Sequence, residues 1–136
     1  MSPALASSRG VKLDGGMLQK IVLASKLAQF SETWSPRIVG AVNDCEVKLA
    51  KLHGEFIWHQ HAHEDELFLV IEGRLSMELR DGTVVLEPGE LLIVPRGVDH
   101  RPVAPEPCSV LLFEPAGTLN TGNVIGERTV QQPKRL

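Results

Sequence analysis

A chain of 136 residues with net charge −3, 43% apolar and 23% charged residues is the size of one globular domain that buries a core without disulfides. The mild negative charge offers no footprint for a nucleic-acid backbone, and the lack of Tyr, with four Phe and two Trp, removes the usual base-stacking platform. No apolar run reaches membrane-spanning length, Met1–Gly10 lacks the core of a signal peptide, and the two cysteines, Cys45 and Cys108, stand in no metal spacing. These features lead us to expect neither nucleic acid nor membrane as a partner, and a reducing, cytoplasmic setting.

Residues 1–14 read as a frayed lead-in. From about Gly16 to Phe30 the apolar positions Met17, Ile21, Ala24 and Ala28 recur on one helical face, with Asp14 as a nearby N-cap and Ser35-Pro36 as the stop. The period then changes. Arg37 to Val42 and Cys45 to Leu52 read as strands around the turn pair Asn43-Asp44. Val47 and Leu49 alternate with Glu46 and Lys48, which predicts a wet face for the charged pair. Glu55 to His61, Glu66 to Glu72, Arg74 to Arg80, Thr83 to Leu86, Leu91 to Val94, Val98 to Val103 and Cys108 to Glu114 follow as short strands, punctuated by Gly73, Asp81-Gly82 and Pro88-Gly89. Regular short strands of this kind predict an all-β jelly-roll barrel with a short N-terminal helix. The expected layout is lead-in and helix over 1–34, barrel over 35–115, and a C-terminal tail over 116–136. In Glu66 to Glu72 both faces are apolar, so a lid or a second subunit should cover the outer one, and a homodimer is expected.

His59 and His61 stand two apart in a strand-like segment and so share a face. Two imidazoles one pleat apart can meet one ion at about 2.1 Å from each nitrogen. Glu66 follows at an odd offset, so 62–65 must contain a bend for it to point the same way; Asp65 is the alternative carboxylate, and His63 shares the parity of the two imidazoles. His100 arrives from a distant segment, behind the rigid turn Pro95-Arg96-Gly97.

The stretch from His59 through His61 and Glu66 to Gly73 resembles the first cupin motif, and Gly89 through Pro95 and Gly97 to His100 resembles the second. The resemblance covers roughly residues 45–114. It departs from the pattern at His53, where the first motif's glycine falls one residue late as Gly54, and at Ala104, where Asn is usual. It implies a jelly-roll barrel with His59, His61, Glu66 and His100 as the metal ligands at its mouth.

Three neutral imidazoles and one carboxylate suit Fe(II), Mn(II), Ni(II), Co(II) or Zn(II), with open positions for the oxygens of a small-molecule ligand. The expected activity is isomerase- or lyase-like work on a small oxygen-rich metabolite, with a dioxygenase or a non-catalytic binder as the alternatives. Proton transfer would need a base near the ion. Glu78 as base and Arg80 as a carboxylate clamp are the candidates if Ser76, Glu78 and Arg80 face the pocket; if Leu75, Met77 and Leu79 do, the pocket is apolar. Arg96 and Arg101 flank His100 and could steer an anion, and the tail is either a lid or a linker.

Overall fold

The structure, a computed structural model, describes residues 10–136 and divides into two units, Met1–Ser31 and Glu32–Leu136. The first nine residues of the expected lead-in lie outside the described residues. The first unit keeps the short helix but narrows the helical stretch expected from about Gly16 to Phe30. Strands β1 (Gly10–Leu13) and β2 (Gly16–Gln19) form an antiparallel hairpin, and among the described residues of this unit only α1 (Leu23–Leu27) is helical. Asp14-Gly15 is the turn, with Gly15 at φ 89°, and an Asp-Gly pair between two short apolar runs is a stronger hairpin signal than the helical spacing that overlaps it. Asp14 therefore caps nothing; the N-cap of α1 is Val22.

The second unit is a β-structure whose strands are β3 (Arg37–Val42), β4 (Cys45–Glu55), β5 (Glu66–Glu72), β6 (Leu75–Leu79), β7 (Gly82–Leu86), β8 (Leu91–Val94) and β9 (His100–Pro115). All pairings are antiparallel, in the order β3-β4-β9-β5-β8, with β6 against both β7 and β9. This is the jelly roll the sequence predicts. Asn43 takes φ 53° in the β3–β4 turn, as a tight hairpin turn asks.

Two expected boundaries move. The segment 56–61 is not a strand; it keeps a single bridge, in which His59 and His100 exchange both backbone bonds at 3.0 and 2.9 Å. The two strands expected over 98–114 are one, β9. Leu52 pairs with Cys108 and Gly54 with Ala104, so Pro105–Pro107 bulge out of the ladder, where prolines without a backbone donor are tolerated. Gly73 ends β5 against this bulge. Its φ is 83° and a Cβ there would lie 2.5 Å from the Pro107 carbonyl oxygen, so the turn admits only glycine.

Inward residues of β4, β5, β6 and β9 build the core: Ala50, Leu52, Phe68, Val70, Leu75, Met77, Val110 and Leu112. Each fully buried large apolar side chain contributes about 1.5–3 kcal/mol. The opposite face of β5 and β8 is less covered, with Leu67 and Leu69 half-buried and Leu91 and Ile93 each 53% exposed. Residues 116–136 form no regular strand or helix, yet they are docked. Ile38 donates to the Lys134 carbonyl at 2.8 Å, Asn123 donates to the Gln60 carbonyl at 2.9 Å, and Thr121 is fully buried. Among the described residues no helix is long and apolar enough to cross a membrane.

Candidate metal centre

His59, His61, Glu66 and His100 converge: one donor atom from each lies within 4.8 Å of the others, and all four residues are buried. Local geometry explains how each arrives. His59 and His61 sit two apart in extended chain, with ring centroids 5.1 Å apart. His100 opens β9 and bridges to His59, bringing those centroids to 4.3 Å. Glu66 opens β5 on the inward side shared with Phe68 and Val70. The bend at 62–65 supplies the missing half-step. Asp65 does not compete for the site: its carboxylate accepts from the Arg96 backbone at 2.9 Å and from its guanidinium at 3.2 Å, which pins the turn before His100. The same turn donates from Gly97 to the His61 carbonyl at 2.8 Å. His63 is exposed, past the bend.

The imidazoles are oriented by backbone two residues upstream. His59 Nδ1 donates to the Ile57 carbonyl and His100 Nδ1 to the Val98 carbonyl, both at 2.9 Å. Because a carbonyl only accepts, the proton sits on Nδ1 and Nε2 presents its lone pair to the cluster. Burial, and next the neighbouring His100 ring, push His59 down to about 4, so its ring is neutral near pH 7. Glu66 Oε1 lies 3.2 Å from His61 Nε2 and 3.6 Å from His100 Nε2. These approaches miss hydrogen-bond alignment. Both His61 nitrogens, Glu66 Oε1 and His100 Nε2 are buried without a hydrogen-bond partner. Orphaned buried polar atoms cost about 1–3 kcal/mol each. A set that aims lone pairs from three imidazoles and a carboxylate at one point fits a divalent transition ion.

Behind Glu66 stands a buried charged pair that the alternation did not reveal. Lys48 and Glu46 do not face water: they are 2% and 9% exposed, on the inward side of β4. Lys48 Nζ donates to Glu114 Oε1 at 2.9 Å. Glu114 is buried, its carboxyl interacts electrostatically with that of Glu66, and its Oε2 has no hydrogen-bond partner. Burial would raise the Glu66 carboxyl, but its contacts with Glu114, His100 and His61 outweigh burial and hold it below the ordinary carboxylate value. Burial first, and then the charge on Glu66, push Glu114 well above that value. The proton of this carboxyl pair therefore resides on Glu114, and Glu66 is the ionised member. The available sequence signal was parity: Glu46 and Lys48 are in step with Ala50 and Leu52, two core residues.

A cavity adjoins the cluster, lined by His59 and Glu66 and by the apolar side chains of Trp34, Leu52, Phe56, Phe68 and Leu112. Trp34 stacks on Phe56 with centroids 4.6 Å apart, and its φ of 57° is unusual for a bulky residue. Asn120 also reaches the wall, but its amide is taken by the Arg128 carbonyl and the Val130 backbone N–H at 2.8 Å each.

Glu78 and Arg80 are not brought to the four donors. Leu75 and Met77 are the inward residues of β6 and belong to the core, so Ser76, Glu78 and Arg80 point the other way. Glu78 accepts from Arg101 at 2.7 Å, and Arg80 lies over the Trp58 ring at 3.9 Å and 3.5 Å from Asp99. Arg101 and Arg96 are likewise engaged, with Glu78 and Glu55 and with Asp65 respectively.

Comparison with known proteins agrees with this geometry. A family model described as "Cupin domain" matches residues 45–114. The structure of a cupin-2 domain protein from Shewanella frigidimarina NCIMB 400 superposes with TM-score 0.69 at 43% identity, covering 70% of this chain and 93% of that one. NMB1881 from Neisseria meningitidis gives 0.66 at 33% identity, covering 71% and 99%. The uncharacterized protein YdbB of Bacillus subtilis is 44% identical over 64 residues, 46% of this chain and 57% of that protein's length. Fold, ordered motifs and a convergent donor set lead to one conclusion: this chain belongs to the cupin family.

Proposed function

We propose that this cupin is a metal-dependent enzyme for a small molecule with an oxygen-bearing head and an apolar body. The observation that carries the reading is the convergence of four buried donors beside an apolar cavity. His59, His61, Glu66 and His100 would hold the ion. A bound divalent ion would supply Lewis-acid polarisation of a substrate oxygen, or a template for dioxygen. Trp34, Phe56, Leu52 and Leu112 exclude water and receive the apolar body. The Nδ1 protons of His59 and His100 are committed to backbone, so the Nε2 lone pairs of those two rings are directed to the ion rather than to substrate protons.

The cavity lining bears on the choice between the two reaction classes. Isomerase- or lyase-like chemistry needs a proton-transfer group beside the ion. The cavity offers no titratable side chain beyond His59 and Glu66, and Glu78 is turned away. Oxygenation needs no such base, so the apolar lining favours a cupin oxygenase over the proton-transfer reading. Metal analysis of protein purified without air tests both. Iron with substrate-dependent oxygen uptake supports the oxygenase. Manganese, nickel or zinc with turnover and no uptake supports isomerase or lyase work. Protein that retains none of the five candidate ions when each is supplied overturns the metal reading.

A homodimer is part of this proposal. Val47, Phe113, Leu67 and Ile93 are in register across β4, β9, β5 and β8, and Leu111, Leu69 and Leu91 form the next row. A second copy presents the same rows, so a two-fold pairing would cover both at once. Sedimentation of wild-type and Ile93→Lys protein reads this: a dimer that the substitution splits is expected, and a monomeric wild type overturns it.

A further inference from the structure

The geometry points to Lys48 and Glu114 as a positioning pair for Glu66: the buried ammonium fixes Glu114, and Glu114 fixes the carboxylate that faces the three imidazoles. This rests on the metal-site reading and concerns how the site is tuned.

The three strands place the groups in one row. Leu67 pairs with Phe113 and Glu46 with Glu114, so Glu66, Glu114 and Glu46 follow one another across β5, β9 and β4 on the inward side. Carboxylates side by side across strands would repel if all were ionised. Lys48 stands one pleat further in. Its Nζ is 2.9 Å from Glu114 Oε1, 3.9 Å from Glu46 Oε1 and 3.5 Å from the Thr118 carbonyl. The ammonium thus holds one oxygen of Glu114, while the other, Oε2, is buried without a hydrogen-bond partner in the row whose next carboxylate is Glu66.

Packing alone does not account for the pair. Lys48 is among the largest fully buried side chains, and it stands in step with Ala50 and Leu52 on the inward face of β4. An apolar side chain of similar volume would fill that place without the several kcal/mol that burying each ion costs. What an apolar replacement could not do is hold a carboxylate in place. Glu66 needs such a hold because, whereas His59 and His100 are tied to carbonyls two residues upstream, its Oε1 is buried without a hydrogen-bond partner. Partners that orient metal ligands in this way change metal affinity when removed, typically by 10–100-fold.

The decisive variant is Lys48→Met together with Glu114→Leu, which exchanges the buried pair for apolar groups of similar size; such exchanges are often neutral for stability. The probe is cobalt(II) alone, added to metal-free full-length protein. We expect a folded double variant that binds cobalt(II) roughly 10–100-fold more weakly, with visible bands displaced from those of wild type. Glu114→Gln, whose amide still accepts from Lys48 and donates to Glu66, should restore both affinity and bands. A double variant with wild-type affinity and wild-type bands overturns the inference. Should the double variant fail to fold, Lys48→Gln carries the same expectation and the same refutation, since it keeps a polar partner for Glu114 without the fixed charge. Wild-type protein that binds no cobalt(II) overturns the metal-site reading and this inference together, whereas binding that is identical in wild type and variants overturns only this inference.

Discussion

The imidazole half and the carboxylate half of the centre are built by different means. His59 and His100 are each tied to a carbonyl two residues upstream, and His61 has its own carbonyl held by Gly97. The orientation of His59 and His100 is written into short stretches of chain; His61 shares the stretch of His59, but its carbonyl is held across 36 positions. Glu66 depends on Glu114, 48 positions away, and through it on Lys48, which lies 66 positions from Glu114. A site with one locally fixed side and one side fixed across strands can keep its imidazoles in place while its carboxylate is retuned from outside the donor set.

The largest expected effect breaks the local side. His61→Ala removes a donor that no other side chain in the cluster can replace, since His63 is exposed past the bend. Loss of metal should exceed the roughly 10–100-fold that an orienting partner costs. The measurement is bound metal per protein after equal loading. Wild-type occupancy in this variant would show that His61 is not a ligand, and that the apparent symmetry of the three imidazoles misleads.

The same contrast explains what could be read in advance. The donors were legible because motif spacing and strand parity are short-range properties: His59 and His61 are one pleat apart, and the bend before Glu66 followed from an odd offset. Asp65 stayed open as a rival because its capture by Arg96 crosses 31 positions. Lys48 was misread because alternation states that two faces differ, not which one is inside; Val47 and Leu49 drew the inward assignment by their apolarity, although Leu49 and Lys48 are both buried. Leu75 and Met77, by contrast, decide the parity of β6 and remove Glu78 and Arg80 from the cavity. The strand expected over 55–61 shrank because Glu55 belongs to the end of β4, paired with Val103, and after the Phe56 bond to the Pro102 carbonyl the segment keeps the single His59–His100 bridge. In the first unit, helical spacing and an Asp-Gly turn gave opposite instructions over the same residues, and the turn prevailed.

A smaller effect sharpens the comparison further along β4 and β9, beside the Pro105–Pro107 bulge. There Cys108 pairs with Leu52 and packs in the apolar core. Burial alone pushes its thiol up to about 11, because no cation or hydrogen-bond donor answers it, as the contacts of Glu66 answer burial at the charged end. At pH 8 only about 0.1% of such a thiol is thiolate, the reactive form. Cys45, at the start of β4, is half-exposed. A disulfide reagent at pH 8 should therefore modify one thiol quickly and the second only as the protein unfolds, and the fast one should vanish in Cys45→Ser. Equal rates for both thiols in folded protein would mean that the apolar end of the barrel opens to reagent, and that burial cannot be what separates the two ends.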